Sequence, residues 1–236
     1  MSRSWKRPVF AALAAAIFAA GAWAKEEAVN ALTDAEKAEG WKLLFDGKSA
    51  SSWRGFKSDK LPDGWTIEGG ALARTGKGGD IVTVDEFESF ELKIDWKIAE
   101  GGNSGIFFHV SEDEGTVWKT GIEMQVLDDA KHHDGQSPLT SAGSCYALYP
   151  PAKKVVRPVG EWNEARLVVK GPKVEHWLNG EKIVEYEIDS EDWKKRVAES
   201  KFKAMPKFAT NKKGHLALQD HGDRVEFRNI KVRTLP

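Results

Sequence analysis

The amino-acid sequence predicts an all-β fold, a sandwich or barrel of short strands with one inserted surface helix. Three observations predict it. Apolar and polar residues alternate with a period of two along many short runs, turn residues punctuate those runs, and one internal segment departs from the pattern.

In chain order, residues 1–24 come first. Arg3, Lys6 and Arg7 precede an almost wholly apolar run from Pro8 to Ala20, and Ala22-Trp23-Ala24 fits a small-x-small cleavage site. This predicts a secretory signal peptide cut after Ala24 and a periplasmic or secreted protein. The run falls short of the ~20 residues of a spanning helix. The full chain has 35 basic and 36 acidic residues, a formal charge of -1, and the leader holds three of the basic ones, so the exported chain carries 32 against 36, or -4. No basic surplus exists to neutralise a phosphate backbone, which argues against a nucleic-acid partner. Cys145 is the single cysteine, so neither an intramolecular disulfide nor a thiolate zinc site can form. A small core residue is expected there.

Residues 25–39 form a polar lead with a brief helix over Leu32 to Glu39, started by Thr33 or Asp34 and stopped by Gly40. The β domain spans 40–236. Its clearest strand is Phe90 to Ile98, where Phe90, Leu92, Ile94, Trp96 and Ile98 alternate with Glu91, Lys93, Asp95 and Lys97, one face packed and one wet. Other strands are expected at 41–45, 65–67, 71–74, 80–84, 105–110, 121–127, 164–170, 174–178, 182–186, 215–219 and 225–233. Asn179-Gly180 between two such runs predicts a two-residue hairpin, because both residues tolerate positive φ. The exception is Ser190 to Lys203, where Trp193, Val197 and Phe202 stand among charges and Glu191 and Asp192 suit a helix N-terminus. The irregular stretches Glu112 to Thr120 and Asp128 to Pro158 are long enough to be binding loops or lids.

Three strands gather polar groups on the face away from the core. In Gly121 to Asp128, Ile122, Met124 and Val126 point inward, Glu123 and Gln125 point out together, and Asp128 stands at the strand end. In Asn103 to His109, Phe107 and His109 share a face away from Ile106 and Phe108. In His215 to His221, Leu216 and Leu218 are inward and Gln219 and His221 outward. As neighbours in one sheet, these strands would make a polar floor. A merely solvated face shows Lys, Glu and Thr, whereas this one collects Glu, Gln, His and Phe. Trp118 lies in a polar loop where a core role is not evident, while Trp65, Trp96, Trp162 and Trp177 fit core strand positions. Aromatic faces flanked by amides and carboxylates suit a sugar, whose C–H faces stack and whose hydroxyls need paired donors and acceptors. His132 and His133 fit either the mouth of such a site or an exposed loop.

The runs Leu44-Phe45-Asp46-Gly47-Lys48 with Trp53, Gly102-Asn103-Ser104-Gly105-Ile106-Phe107-Phe108, Gly121 to Asp128, Gly160-Glu161-Trp162-Asn163, Leu178-Asn179-Gly180 and Leu218-Gln219-Asp220-His221-Gly222 through Phe227-Arg228-Asn229-Ile230 follow one another in a set order. In that order, over residues 38–234, the chain resembles the bacterial 3-keto-disaccharide hydrolase domain family. The resemblance implies a concanavalin A-like jelly-roll β-sandwich of two antiparallel sheets that binds sugars on its concave face and cleaves 3-keto-glycosides. His109 stands where such domains often carry Arg, and Ser144-Cys145-Tyr146 is an atypical form of the following loop.

An ordinary glycosidase needs two carboxylates flanking the bond. Glucanases of this shape supply them from one strand as Glu-x-Asp-x-(x)-Glu; the run here is Glu123-x-Gln125-x-x-Asp128, and Gln125 cannot ionise. A ketone at carbon 3 lowers the demand, because it acidifies the hydrogen on carbon 2, and one base with an enolate stabiliser then suffices. On this reading Glu123 or His221 is the base, Gln125, Gln219 and His109 orient hydroxyls or the enolate oxygen, and Asn103, Phe107, Trp118, Asp128 and Tyr146 complete the sugar-binding set. Some of Glu123, Asp128, His109 and His221 could hold a divalent metal ion, although their spacing is not diagnostic. The alternative is a non-catalytic lectin-like module, since the same fold serves both.

Overall fold

The structure, a computed structural model, describes residues 28–236 together with Met1. The expected signal peptide, Met1 aside, lies outside the described residues. A short helix α1 (Asp34–Ala38) opens this part of the chain; the Thr33 hydroxyl accepts from the Glu36 amide while the Glu36 carboxylate accepts from the Thr33 amide. Strands follow as β1 (Lys42–Leu43), β2 (Trp53–Gly55), β3 (Trp65–Glu68), β4 (Ala71–Arg74), β5 (Ile81–Phe87), β6 (Phe90–Ile98), β7 (Asn103–Val110), β8 (Ile122–Leu127), β9 (Asn163–Lys170), β10 (Lys173–Leu178), β11 (Glu181–Glu187), β12 (Gly214–Leu218) and β13 (Val225–Thr234). One sheet has the order β11-β10-β9-β6-β13-β4-β3 with β1 also on β13, and the other has the order β2-β5-β12-β7-β8. Every pairing is antiparallel. The sandwich is a jelly roll, as expected, and β2 is a strand that the period of two did not mark.

Between the sheets, Leu92, Ile94, Trp96, Phe227 and Val232 of the larger one pack against Ile106, Phe108, Met124, Val126, Leu216 and Leu218 of the smaller. Cys145 joins this core, and burial pushes its thiol up to about 12. The hairpin between β10 and β11 turns on Asn179 and Gly180 with φ of 50° and 83°, the left-handed pair that a type I′ turn requires.

The outer face of the larger sheet is not simply wet. Glu91 and Asp95 are buried there, because Arg166 and Arg233 clamp the first while Arg228 and Asn229 hold the second. Trp162 and Trp177, expected in the core, lie half-buried on this outer side. Trp177 pairs in register with Arg166, whose guanidinium stands 4.9 Å from its ring centre, and the Arg228 guanidinium stands 4.1 Å from the Trp162 ring. The cations cover one ring face each, so these indoles shed water without entering the core.

The departing segment is a helix, α2 (Glu191–Glu199), followed by a 3-10 turn at Lys201–Ala204. The Ser190 hydroxyl caps α2 by accepting from the Trp193 amide, and the Ser200 hydroxyl caps the turn by accepting from the Phe202 amide. Stacked rings fix the insertion to the sandwich: Tyr149 on Tyr186 at 5.0 Å, Tyr186 on Trp193 at 5.3 Å, Trp193 on Phe208 at 6.2 Å and Phe208 on Phe202 at 3.8 Å.

Candidate functional site

The smaller sheet brings β12, β7 and β8 side by side, so the polar floor exists. Gly105 pairs with Gln125 and Phe107 with Glu123, while Ala217 pairs with Phe107 and the Gln219 amide donates to the Gly105 carbonyl. Directly opposed residues share a face, which puts Glu123, Gln125, Gly105, Phe107, Ala217 and Gln219 on the concave side. A cavity of about 270 Å³ opens over one end of this floor. Asn103, Glu123, Gln125 and Gln219 line its base, and Trp118, Tyr146 and His221 line its sides.

Three expected residues do not line it. Phe107 lies beneath, fully buried with Val82, Val110, Val117 and Ala217, and Trp118 packs on that cluster. His109 is a correction. Against β12 the register jumps from Phe107–Ala217 to Val110–His215, so Phe108 and His109 together face one residue. His109 takes φ of 56° as the extra residue of this bulge and turns its ring onto Phe90 and Phe108, where its Nε2 lies 2.8 Å from the Glu88 carbonyl oxygen. Asp128 is the second correction. Its carboxylate accepts from the amides of Gly101 and Ala130 at 2.8 and 3.0 Å, and so fastens two loops beside the site.

Sequence reasoning missed Asp134, Lys201 and Met205, which close the cavity. Asp134 stood in the noted His132-His133 run and accepts from the Tyr146 hydroxyl at 3.2 Å. Lys201 and Met205 arrive with the inserted helix. Nothing in a lysine-rich surface segment distinguishes one lysine from the next.

Glu123 is buried on a floor otherwise made of groups that cannot ionise. Burial is the main cause that pushes its carboxyl up to about 8; the Lys201 ammonium pulls it down, and Asp80 and Asp134 add to the rise. Asp80, ahead of β5, is itself pushed up to about 6 by burial although the Asp220 amide donates to it. Gly105 makes the room, since a Cβ there would overlap the Glu123 carboxylate. Asn103 Oδ1, Gln125 Oε1 and Gln219 Oε1 are buried without any hydrogen-bond partner. Three orphan acceptors converging on one cavity call for a ligand rich in hydroxyl donors.

The four residues considered for a metal ion are not brought together, because His109 and Asp128 face elsewhere. His132, His133 and Asp134 do place donor atoms within 4.8 Å of one another. However, His132 Nδ1 accepts from the Asp134 amide at 3.2 Å, which puts the ring proton on Nε2 in neutral imidazole. Ligation through Nε2 would need that proton removed, and ligation through Nδ1 would need the cap broken. The trio fits a capped loop better than a metal centre.

A jelly roll with a buried carboxylate set among orphan amides and aromatic walls is the build of a glycoside hydrolase. The chain belongs to the family of 3-keto-alpha-glucoside-1,2-lyase-like domains, whose model matches residues 40–233. It is 35% identical over 231 residues to a 3-keto-disaccharide hydrolase of Bacteroides thetaiotaomicron, covering 84% of this chain and 79% of that one. A presumptive glycosyl hydrolase of Parabacteroides distasonis, known as a crystal structure, is 39% identical, covers 89% of this chain and 100% of its own, and superposes with a TM-score of 0.82. In fold alone, a Bacillus subtilis protein with a galectin-like fold is similar, at 11% identity, TM-score 0.51 and coverage of 88% of this chain and 95% of that one.

Proposed function

We propose that the protein cleaves glycosides already oxidised at carbon 3, with Glu123 as the base that opens the reaction. The observation that carries the reading is a single buried carboxyl, raised to about 8, on a floor of neutral amides. A base is most effective when its pKa lies near the working pH. Glu123 takes the proton from carbon 2, the C–H pair becomes the C2=C3 bond, and the carbonyl pair moves onto the C3 oxygen. That pair then returns to re-form the ketone, C1=C2 forms, and the C1–O bond breaks. The leaving oxygen takes a proton, for which His221 at the rim is the candidate donor. Water added across C1=C2 completes a net hydrolysis. Asn103, Gln125 and Gln219 accept from the sugar hydroxyls, while Trp118 and Tyr146 offer ring faces to its C–H groups. Residues 1–24 support a protein that works outside the cytoplasm.

Asp134 favours one other reading, because a second carboxylate on the same cavity could serve direct hydrolysis of an unoxidised glycoside. Sugar release from a 3-keto-disaccharide and from its unoxidised parent, with and without chelator, separates the two. Cleavage of the keto form alone is expected, unchanged by chelator and reduced at least ~1,000-fold in Glu123→Gln. Equal cleavage of the parent would replace the elimination reading with the two-carboxylate one.

A further inference from the structure

We propose that Lys201 is the carbonyl-binding catalytic residue of this site: its ammonium donates to the C3 oxygen of the oxidised sugar and holds the charge that gathers there when Glu123 removes the C2 proton. The inference rests on the function proposed above and adds the group that recognises the oxidised carbon.

A ketone presents the cavity with a different demand from a hydroxyl. Its oxygen can only accept, so the orphan oxygens of Asn103, Gln125 and Gln219 cannot bind it. Some donors nearby are already committed. The Tyr146 hydroxyl donates to Asp134 at 3.2 Å, and Gln125 Nε2 donates to the Thr140 carbonyl at 3.3 Å. The Lys201 ammonium makes no hydrogen bond and no ion pair among the described residues, and its contacts are with rings. Aromatic faces hold its Nζ instead, 4.2 Å from the ring centre of Tyr146, 5.3 Å from Phe202 and 5.9 Å from Trp118. A ring face attracts a cation through its quadrupole and leaves the N–H donors free. Asn103 Nδ2, Gln219 Nε2 and His221 remain for hydroxyls and the leaving oxygen, and the two amides carry no charge.

The Lys201 ammonium also acts on Glu123, opposing Asp80 and Asp134. Base and charge acceptor thus stand within one field, as proton removal from carbon beside a carbonyl needs. As the C–H bond breaks, its proton passes to the Glu123 carboxylate and the negative charge to the C3 oxygen at Lys201. When the C1–O bond breaks, the charge leaves with the departing oxygen, and Lys201 keeps its own protons throughout.

The test compares wild type, Lys201→Met and Lys201→Arg on a 3-keto-disaccharide, and follows by NMR the exchange of the C2 hydrogen of 3-keto-glucose in D₂O. Lys201 is exposed on a short turn, so both variants should unfold at the wild-type temperature. In Lys201→Met, kcat should fall ~100- to 1,000-fold, the loss typical of one oxyanion donor, with KM changed by less than about tenfold and C2 exchange slowed in parallel. The acid limb of the pH profile, set by Glu123 amid Lys201, Asp80, Asp134, Tyr146 and Cys145, should move upward, and Lys201→Arg should recover part of the rate. A Lys201→Met enzyme within about threefold of wild type, or one slow in turnover but not in C2 exchange, overturns the role of Lys201 alone. Failure of wild type to act on the keto-sugar overturns both proposals.

Discussion

Glu123 and Gly105 work as a pair across two strands. The carboxylate fits because position 105 has no side chain, and a methyl group there would reach the Glu123 oxygen and crowd the Phe107 ring. Gly105→Ala is therefore expected to lower turnover at least ~100-fold and to cost ~1–3 kcal/mol of stability, the usual penalty of overpacking. Kinetics and a urea titration would check both, and wild-type turnover in the variant would show that the carboxylate has space to spare. The same residue sets the pH response. A base raised to about 8 must lose its proton to act, so kcat/KM should climb with pH toward that value. Parity along the strands was enough to put Glu123, Gln125, Gln219 and His221 together, and Asn103, Trp118 and Tyr146 joined them as the rest of a sugar-binding set. It failed at His109, because a bulge inserts one residue and reverses the facing of all that follow it, and no residue type at 107–110 announces it. It failed at Asp128 because strand ends are where carboxylates cap loops.

The inserted helix was legible as an element but not as a wall of the site. Its apolar residues, Trp193, Val197 and Phe202, read as one buried face, and they are buried or partly so. What they pack on was invisible, since the rings of Tyr149, Tyr186 and Phe208 come from distant parts of the chain. This stack holds the turn that presents Lys201 and Met205. Trp193→Ala should cost ~3–5 kcal/mol, the range for removing a buried tryptophan, and should lower activity at temperatures where the variant is still folded. Leu167→Ala, deep in the larger sheet, is the contrast: it should cost stability and leave kcat near wild type. Equal kcat in the two folded variants would detach the insertion from catalysis.

For the whole molecule, the buried carboxyl makes function and stability pull apart. Glu123 titrates near 4.5 when free and near 8 in the fold. Between those values the folded chain holds a proton that the unfolded chain has released, so this group lowers stability as pH rises from about 4.5 to about 8. Glu123→Gln removes the titration. Its melting temperature should gain on wild type steadily across that window, and a constant difference from pH 5 to 9 would contradict the burial. The strands could be inferred from alternation because each buries one face, but their order in the two sheets could not, and Trp162 and Trp177 escaped because cations cover them from outside. One further consequence follows from the bulge in β7. By bringing Val110 round to join Phe107, Val82, Val117 and Ala217 under Phe56 and Trp118, it fills the concave face with an apolar plug beside Glu123, whose cross-strand partner is Phe107. The base therefore has an oily neighbour on one flank. For the reaction proposed here, that flank keeps the base dry, so a polar substitution at Val110 that lets water in should bring the midpoint of the kcat/KM pH profile down toward the ordinary carboxylate range.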